Sequence, residues 1–242
     1  MKTALITGSA RGIGRACALR LARDGWRLAL HYHRSAGPAA ALCAELRERG
    51  CDAEVFQADV ASPSEVYALR DAVSRFGQPS LLVCNAGIAE QQLFTDITEE
   101  QWQRMLAVNL SGVFYCCQAF LPAMIARKHG CIVNVSSIWG LQGASCEVHY
   151  SAAKAGVIGL TRALAQEVGP SGVTVNCVAP GVIDTDMCAH LDEDARAALR
   201  ERIPLGRLGT AAEVAEVVAF LASPAASYLT GQVISPTGGM VL

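Results

Sequence analysis

Short apolar runs alternate with longer amphipathic segments along the whole chain, and this alternation is its most constraining feature. The short runs suit buried strands, whereas the segments between them repeat apolar residues with the period of a helix. Such alternation is typical of a parallel sheet that is covered by helices on both faces. The predicted strands are Thr3–Thr7, Arg27–Tyr32, Ala53–Gln57, Leu81–Cys84, Cys131–Val135, Thr174–Val178 and Gln232–Ile234. The predicted helices are Ile13–Arg23, Ala39–Arg49, Pro63–Phe76, Glu99–Met124, His149–Val168 and Ala211–Ala222.

These elements predict an α/β protein of the Rossmann type, in which three layers surround a doubly wound, parallel, seven-stranded sheet. Right-handed crossovers through the helices place ligands at the carboxyl ends of the strands, near the point where the winding reverses. Because no linker, repeat or low-complexity segment divides the sequence, we expect a single domain over residues 1–242.

Composition narrows the function classes. Hydrophobic residues make up 52% of the chain and charged residues only 17%, so the chain can bury a large core. The net charge is −2 and the basic residues are scattered, which argues against nucleic acid or a membrane surface as a partner. The apolar run in MKTALITG is too short for a signal peptide, and no segment has the composition of a membrane span. We expect a cytoplasmic protein that binds a small neutral or anionic ligand.

The ten cysteines are dispersed and form no Cys-x-x-Cys pair, so we expect reduced and mostly buried thiols. The alternative is a redox-active or metal-binding role for the adjacent Cys116 and Cys117 or for Cys146. Their spacing does not favour it, and we predict no metal site.

A glycine-rich turn, TGSARGIG, follows the first predicted strand and opens a helix at Gly8, Gly12 and Gly14. Glycines allow a tight turn and let backbone N–H groups approach a pyrophosphate, to which the helix N-terminus adds a favourable dipole. The spacing is G-x-x-x-G-x-G rather than G-x-G-x-x-G, so the turn alone also fits a strand-to-helix connection without a ligand.

The end of the second predicted strand indicates which dinucleotide binds. NAD-preferring enzymes place an Asp or Glu there to hold the ribose hydroxyls, yet no carboxylate occurs from Gly25 to Ala44. Arg34 and His33, together with Arg11, would instead surround a 2′-phosphate, for which arginine is a suitable donor. We therefore predict NADP(H); the alternative is that these side chains are ordinary solvated loop residues.

Polar or flexible residues follow the third and fourth predicted strands. Asp59 and Val60 would reach the adenine edge, and CNAG ends a strand at Asn85, Ala86 and Gly87. Each is an ordinary loop on its own. Their positions at carboxyl ends of strands make them candidates for cofactor binding.

Tyr150 and Lys154 are four residues apart on a predicted helix, and they are the strongest candidates for chemistry. A free tyrosine has a pKa near 10, and a cation one turn away on the same face lowers it toward neutrality. A chance pair is the alternative. Ser137, after the fifth strand, would donate a hydrogen bond to a carbonyl oxygen in a substrate. A serine hydrolase with His149 as base is disfavoured, because no G-x-S-x-G surrounds the serine and His149 points to another face than Tyr150.

Several motifs together resemble those of the short-chain dehydrogenase/reductases over the whole chain. They are TGSARGIG, CNAG, AVNLSG with Asn109, Ser137, YSAAK and NCVAPGVIDT. Within that family the chain is most similar to bacterial 3-oxoacyl-(acyl-carrier-protein) reductases, with which it shares IPLGRLGT and GGM.

The resemblance implies roles for individual residues. Tyr150 is the general acid, Ser137 orients the ketone, Lys154 binds the nicotinamide ribose and lowers the tyrosine pKa, and Asn109 holds a helix and a water of a proton relay. Ser136, next to the matching serine, is expected to be structural. The implied cofactor-binding residues are Gly8, Ser9, Ala10, Arg11, Gly12, Ile13, Gly14, His33, Arg34, Asp59, Val60, Asn85, Ala86, Gly87, Tyr150, Lys154, Pro180, Gly181, Ile183 and Thr185.

The resemblance also implies a homotetramer, in which the small Ala152, Ala153, Ala155 and Gly156 permit close packing of the Tyr150 helix. It leaves the ketone open. Family members that act on the acidic acyl carrier protein carry basic residues at the site entrance.

Lys128 would fill one such basic position, but Ser171 stands where the pattern has an arginine. Glu147 lies at the expected substrate mouth and would suit a cationic amine. The stretch SIWGLQGASCE resembles a subgroup that reduces an aminopentanone on a lysine of elongation factor P. The substrate residues are therefore predicted to be Ser137, Glu147 and Tyr150. A non-catalytic NADP-binding sensor or scaffold remains the alternative from another class.

Overall fold

A computed structural model describes residues 2–186 and 192–240. Its strands are β1 Thr3–Ile6, β2 Arg27–Tyr32, β3 Ala53–Gln57, β4 Pro79–Cys84, β5 Gly130–Val135, β6 Val173–Val178, β7 Ile183–Asp184, β8 Gly209–Thr210 and β9 Val233–Ile234. Its helices are α1 Gly12–Arg23, α2 Ala36–Glu48, α3 Pro63–Phe76, α4 Glu99–Leu106, α5 Gly112–Ala126, α6 Trp139–Gln142, α7 Val148–Val168, α8 Glu193–Arg202 and α9 Ala211–Leu221.

The main sheet is parallel throughout and confirms the predicted fold class. Its seven strands run in the order β3-β2-β1-β4-β5-β6-β9, so the winding reverses between β1 and β4. That switch point is where a doubly wound sheet opens a crevice for its ligand. β7 and β8 pair with each other outside the main sheet.

The side chains of neighbouring residues in one strand point to opposite faces of the sheet, as the pleat requires, and so pack against different helix layers. Leu5 packs with buried residues of α3, α5 and α7, whereas Ala4 and Ile6 pack with those of α1, α2 and α9. The near-continuous apolar strands are therefore explained by burial on both faces.

The predicted helix Glu99–Met124 is wrong in one respect, because a π-helical turn interrupts it. Residues Ala107–Ser111 adopt this turn between α4 and α5, and the turn contains Asn109. A π turn adds one residue to the helical repeat and occurs frequently at functional sites. Periodicity alone gave no indication of it.

The sequence reading also missed α8. This helix has no buried residue, so the apolar period on which the prediction depended is absent. Its terminal signals are nevertheless clear, because Asp192 caps the N-terminus through the N–H of Ala195, and Arg200 and Arg202 lie in the last turn.

Within the described residues, the helical stretch Glu99–Ala126 is long and apolar enough to cross a membrane by length and composition. Half of its most apolar window is buried inside the fold. Packing against the sheet accounts for that apolar character, as in the core helix of a soluble protein.

Candidate active site at the carboxyl edge of the sheet

The glycine-rich turn after β1 has the geometry of a cofactor cradle. Gly8 and Gly12 adopt positive φ angles of 65° and 53°. A Cβ built at Gly8 would lie 2.9 Å from the Cα of Ala86, and one at Gly14 would lie 2.2 Å from the oxygen of Gly8. Only a residue without a Cβ therefore fits at these two positions. Because no side chain among the described residues caps the N-terminus of α1, its first N–H groups are available to bind the phosphates of a dinucleotide.

Thr7 and Asn85 fix this turn against the loop that follows β4. The hydroxyl oxygen of Thr7 accepts hydrogen bonds from the N–H groups of Asn85 (2.9 Å) and Ala86 (3.0 Å). The side-chain amide of Asn85 donates to the carbonyl oxygens of Thr7 (3.0 Å) and Gly8 (3.1 Å). The Asn85 side chain is therefore engaged in supporting the turn, and Thr7 is a supporting residue that sequence reasoning missed.

Three side chains, those of His33, Asp59 and Arg104, lie together at the far end of the cradle. The side chain of His33 is 3.7 Å from a carboxylate oxygen of Asp59, and Arg104 is 3.2 Å from the same oxygen. Burial raises the pKa of Asp59, but the N–H of Ala61 and the Arg104 guanidinium outweigh it, so that the pKa lies below its ordinary value. Asp59 is thus held as an anion.

Arg11 and Arg34 are exposed at this end, and neither forms an ion pair with any residue that the structure describes. Val60 is buried against α5, because a Cβ built at Gly112 would lie 2.9 Å from its side chain. A glycine cradle and two guanidinium groups that lack an ion pair within the described chain together fit a nicotinamide dinucleotide.

Tyr150 and Lys154 lie side by side on α7, as the spacing predicts. Tyr150 is 8% exposed and Lys154 is 3% exposed, and the Nζ of Lys154 is 5.7 Å from the centroid of the tyrosine ring. The Nζ donates to the carbonyl oxygen of Val135 at the end of β5 (2.9 Å). Burial lowers the pKa of Lys154 to about 8. At pH 7 this lysine is therefore mainly an ammonium group next to the phenol.

Ser137 is brought to the same edge by β5 and is almost buried. Its hydroxyl oxygen accepts the N–H of Trp139 (3.2 Å), which leaves the hydroxyl proton available to another acceptor. Ser136 instead donates to the carbonyl oxygen of Lys154 (2.7 Å), an anchoring contact between β5 and α7. A Cβ at Gly140 would lie 2.7 Å from the Lys154 backbone, so α6 packs tightly against α7.

Asn109 connects the π turn to the loop after β4. Its side-chain oxygen accepts the N–H of Ile88 (3.2 Å), and its amide donates to the carbonyl oxygens of Ile88 (3.0 Å) and Met105 (3.2 Å). A Cβ at Gly87 would lie 2.7 Å from the Asn109 oxygen and 3.6 Å from the Nζ of Lys154. Asn109 therefore borders the lysine end of the cleft.

The loop after β6 completes the cleft on the side of the glycine turn. Pro180 accepts the N–H of Ile138 (2.8 Å) through its carbonyl oxygen. A Cβ at Gly181 would lie 2.8 Å from the Cα of Thr237, and the methyl group of Thr185 is 3.6 Å from a Cβ built at Gly12. Ile183 belongs to β7, which directs the chain across the cleft. The predicted cofactor residues on this loop thus face those on the glycine turn.

Comparison with known proteins identifies the family. Residues 8–241 match the family profile described as Enoyl-(Acyl carrier protein) reductase. The 3-oxoacyl-[acyl-carrier-protein] reductase FabG of Staphylococcus epidermidis is 43% identical, with 100% of this chain and 99% of the relative covered. The protein of that name from Pseudomonas aeruginosa is 42% identical over 100% of this chain and 98% of its own length. The chain belongs to the short-chain dehydrogenase/reductase family.

Solved structures of this family superpose closely on the chain. A 3-oxoacyl-[acyl-carrier protein] reductase from Brucella melitensis has a TM-score of 0.94 at 34% identity, covering 98% of this chain and 90% of its own. A putative gluconate dehydrogenase from Agrobacterium tumefaciens has a TM-score of 0.96 at 34% identity, covering 100% and 97%. This chain is therefore an oxidoreductase that acts on ketone or hydroxyl groups with a nicotinamide cofactor. This assignment replaces the alternative of a non-catalytic sensor or scaffold. Because these two similar structures are named after different substrates, the fold alone does not identify the ketone. The residues at the rim of the cleft bear on that question.

Two loops form that rim in this reductase. The N–H of Gln92, in the loop after β4, donates to the carbonyl oxygen of Cys146 (2.8 Å), and the side chain of Gln91 donates to the Glu147 carboxylate (3.3 Å). Glu90 is exposed next to Gln91 and accepts from the Gln101 side chain (2.6 Å). The loop after β4 thus contacts the loop before α7 through Gln91 and Gln92, and both loops carry a carboxylate, Glu90 on the first and Glu147 on the second.

The basic position considered at the entrance lies elsewhere in this reductase. Lys128 follows α5 and precedes β5, which places it at the amino edge of the sheet, opposite Ser137 and Tyr150. Its carbonyl oxygen lies against Gly172, next to Ser171 at the start of β6. The expectation that Lys128 lies beside this chain's own site entrance is therefore wrong.

His149 has no part in a hydrolase triad with Ser137. Its side chain is fully buried on α7, and neither ring nitrogen has a hydrogen-bond partner in residues 2–186 and 192–240. The hydroxyl of Ser137 is instead bonded to the N–H of Trp139. This agrees with the sequence-based rejection of a serine hydrolase.

Proposed function

We propose that this protein reduces a 3-oxoacyl group carried by an acyl carrier protein, with NADPH as reductant, in cytoplasmic fatty acid biosynthesis. The observation that carries the proposal is the buried pair of Tyr150 and Lys154, with Ser137 on the loop after β5 at the same carboxyl edge of the sheet. The substrate class comes from full-length relatives that bear this activity in their names.

The three side chains divide the work on the substrate carbonyl. The hydroxyl of Ser137 donates a hydrogen bond to the carbonyl oxygen, which orients the ketone and stabilises negative charge as it develops there. Tyr150 donates its phenolic proton to the same oxygen, and the Lys154 ammonium stabilises the phenolate that remains. Bound NADPH supplies the hydride that adds to the carbonyl carbon.

The choice of NADPH over NADH is supported by the charge at the far end of the cradle. Arg11 and Arg34 are exposed and have no described anionic partner, and His33 borders them. A 2′-phosphate would supply the anion that these side chains lack, through charge-assisted hydrogen bonds.

The decisive test is the substitution Tyr150→Phe. Because it removes only the transferable proton, we expect kcat with acetoacetyl-CoA to fall by about 10³-fold, a typical general-acid contribution. The dissociation constant of NADPH should stay within about threefold of wild type, a difference of less than 1 kcal/mol. Tyr228→Phe removes the same hydroxyl from a fully exposed position and should change neither quantity. A Tyr150→Phe variant with full activity would contradict the mechanism.

We also propose a homotetramer, with α7 at a subunit interface. Ala152 and Ala155 are exposed on α7 and would permit close approach of a second helix, whereas Ala153 is buried and Gly156 contacts Leu110 of the same chain. Sedimentation equilibrium measures the state directly: a mass of one chain would exclude the tetramer.

A second candidate substrate is the aminopentanone on a lysine of elongation factor P. The carboxylate of Glu147, bonded to Gln91 of the loop after β4, favours it, because a carboxylate repels an anionic carrier and attracts a primary ammonium group. Lys128 lies at the opposite edge of the sheet, so it gives no support for the binding of an acidic carrier protein at the site entrance of the same chain.

Glu147→Gln separates the two substrates. If Glu147 binds the ammonium group of the substrate, kcat/KM for an aminopentanone should fall by about tenfold in this variant, which corresponds to about 1.4 kcal/mol. The kcat/KM for 2-pentanone and for acetoacetyl-CoA should stay constant or rise. Glu48→Gln, at an exposed position on α2, is the matched control. Unchanged aminopentanone kinetics in Glu147→Gln would remove this candidate.

A further inference from the structure

His31 is a buried residue of β2 that none of the assigned roles explains. It is 1% exposed, and the sequence analysis assigned it no function. Its carbonyl oxygen accepts both the N–H (3.0 Å) and the hydroxyl (3.2 Å) of Ser9. Its ring nitrogens make two further bonds, one to each side of the cofactor cradle.

These ring bonds fix one tautomer. The N–H of Gly8 donates to Nδ1 (3.1 Å), and Nε2 lies 3.0 Å from the carbonyl oxygen of Ala58. A backbone N–H can only donate and a carbonyl oxygen can only accept, so Nδ1 must present its lone pair and Nε2 must carry the proton. A second proton on Nδ1 would face the Gly8 N–H and break that contact.

The imidazole thereby joins two separate parts of the cradle. Gly8 begins the glycine turn, where the pyrophosphate is expected, and Ala58 directly precedes Asp59 and Val60, where the adenine is expected. We propose that His31 is a positioning residue for the dinucleotide, whose neutral Nε2-protonated ring holds the Gly8 N–H and so keeps the glycine turn in its binding conformation. The proposal rests on the dinucleotide binding of the proposed function, and it is independent of which ketone is reduced.

The surroundings of the ring favour its neutral form. The pKa of His31 is lowered to about 4, with burial as the largest cause; the Ala58 bond and Asp59 oppose this lowering, and His33 adds to it. At neutral pH the ring is uncharged, and Nδ1 is available as an acceptor. Because the glycine turn is already ordered in the free protein, its ordering adds less to the free-energy cost of cofactor binding.

Three substitutions separate the two ring contacts. Asn places an amide group near the position of Nδ1, Gln places one near that of Nε2, and Leu provides neither. We expect His31→Asn to retain NADPH affinity within about threefold, whereas His31→Gln and His31→Leu should weaken it by about tenfold, the range expected for one lost hydrogen bond. NADPH fluorescence without a ketone measures this dissociation constant. With substrate, KM for NADPH should rise while kcat at saturation is retained.

A matched control excludes general loosening of the fold. Val73→Ala removes a buried methyl pair on α3, away from the glycine turn, and should lower the free energy of unfolding without changing NADPH affinity. If Val73→Ala weakens NADPH binding as much as His31→Gln does, or if all three His31 variants bind like wild type, the positioning role is wrong. Wild-type protein that binds no dinucleotide would instead overturn the proposed function.

The tautomer itself is a second, independent readout. In protein with ¹⁵N-labelled histidine, NMR should show His31 protonated at Nε2 and not at Nδ1 at pH 7, with the resonance assigned by its loss in His31→Asn. A ring protonated at Nδ1 could not accept the Gly8 N–H and would overturn the proposal whatever the binding data show.

Discussion

His31 and Lys154 are buried nitrogen bases at the two ends of one cleft, and they are held in opposite protonation states. Burial lowers the pKa of both, to about 4 for His31 and to about 8 for Lys154. At pH 7 the first is therefore neutral and the second is mainly charged. The same physical cause gives different outcomes because the two side chains start from different ordinary pKa values.

Their hydrogen bonds differ in the same sense. Each ring nitrogen of His31 has a backbone partner, so the neutral ring is fully bonded at the cofactor end. Lys154 has three N–H groups, of which one donates to the carbonyl oxygen of Val135 while Tyr150 lies alongside. At the cofactor end, the buried His31 ring thus holds the glycine turn in position. At the other end, the buried Lys154 keeps a positive charge close to the phenol of Tyr150.

The largest effect is expected for Lys154→Met, which removes the charged base and keeps most of the apolar stem. Without the ammonium, the phenolate form of Tyr150 loses its stabilisation, so kcat should fall by about 10³-fold. The measurement is NADPH oxidation with acetoacetyl-CoA at saturating cofactor. Lys2→Met, which removes a cation beside Trp26 at the amino end of β1, should leave kcat unchanged. A Lys154→Met enzyme with wild-type kcat would mean that the charge has no role in turnover.

The pH dependence of stability should distinguish the two bases. The unfolded chain takes up a proton on His31 near pH 6.5, whereas the folded chain does so only near pH 4, so stability falls as the pH drops through this window. The loss amounts to about 3 kcal/mol, and it is complete below about pH 4. For Lys154 the window lies between about 8 and 10.5, and stability rises with pH across it.

Denaturant unfolding at several pH values checks this prediction. Between pH 6.5 and 4, wild type should lose about 3 kcal/mol more than His31→Asn, which has no group that titrates there. Parallel curves for the two proteins would mean that His31 already carries a proton in the fold, and the contrast with Lys154 would disappear.

Sequence reasoning predicted the elements whose signals are local. The bounds of α3 are those predicted, because Ser62 caps the helix, Pro63 begins it and Gly77 ends it. The pairing of Tyr150 with Lys154 follows in the same way from a spacing within one helix. The bond from Lys154 to Val135 could not be predicted, since it depends on how α7 packs against β5.

The side-chain contacts that were missed have this long-range origin too, unlike the missed helix α8, whose terminal signals are local. The contact of His31 with Gly8 joins residues 23 positions apart, and that of Asn109 with Ile88 joins residues 21 apart. No local pattern specifies such pairs. The position of Lys128 differs from these cases, because the predicted elements already place it between a helix and the following strand, which is the amino edge of a parallel sheet.

A smaller effect than for Lys154→Met or for the loss of the His31 titration is expected for Arg34→Asp, which changes the cofactor end without touching either buried base. An aspartate there would repel the 2′-phosphate and accept hydrogen bonds from ribose hydroxyls, so the NADPH/NADH ratio of kcat/KM should fall by about 30-fold, or about 2 kcal/mol. Arg75→Asp makes the same charge change at an exposed position of α3 and should leave the ratio constant. Because kcat with saturating NADH should stay near that of wild type, the experiment also separates the two ends of the cleft. A ratio that does not move in Arg34→Asp would show that other groups select the cofactor.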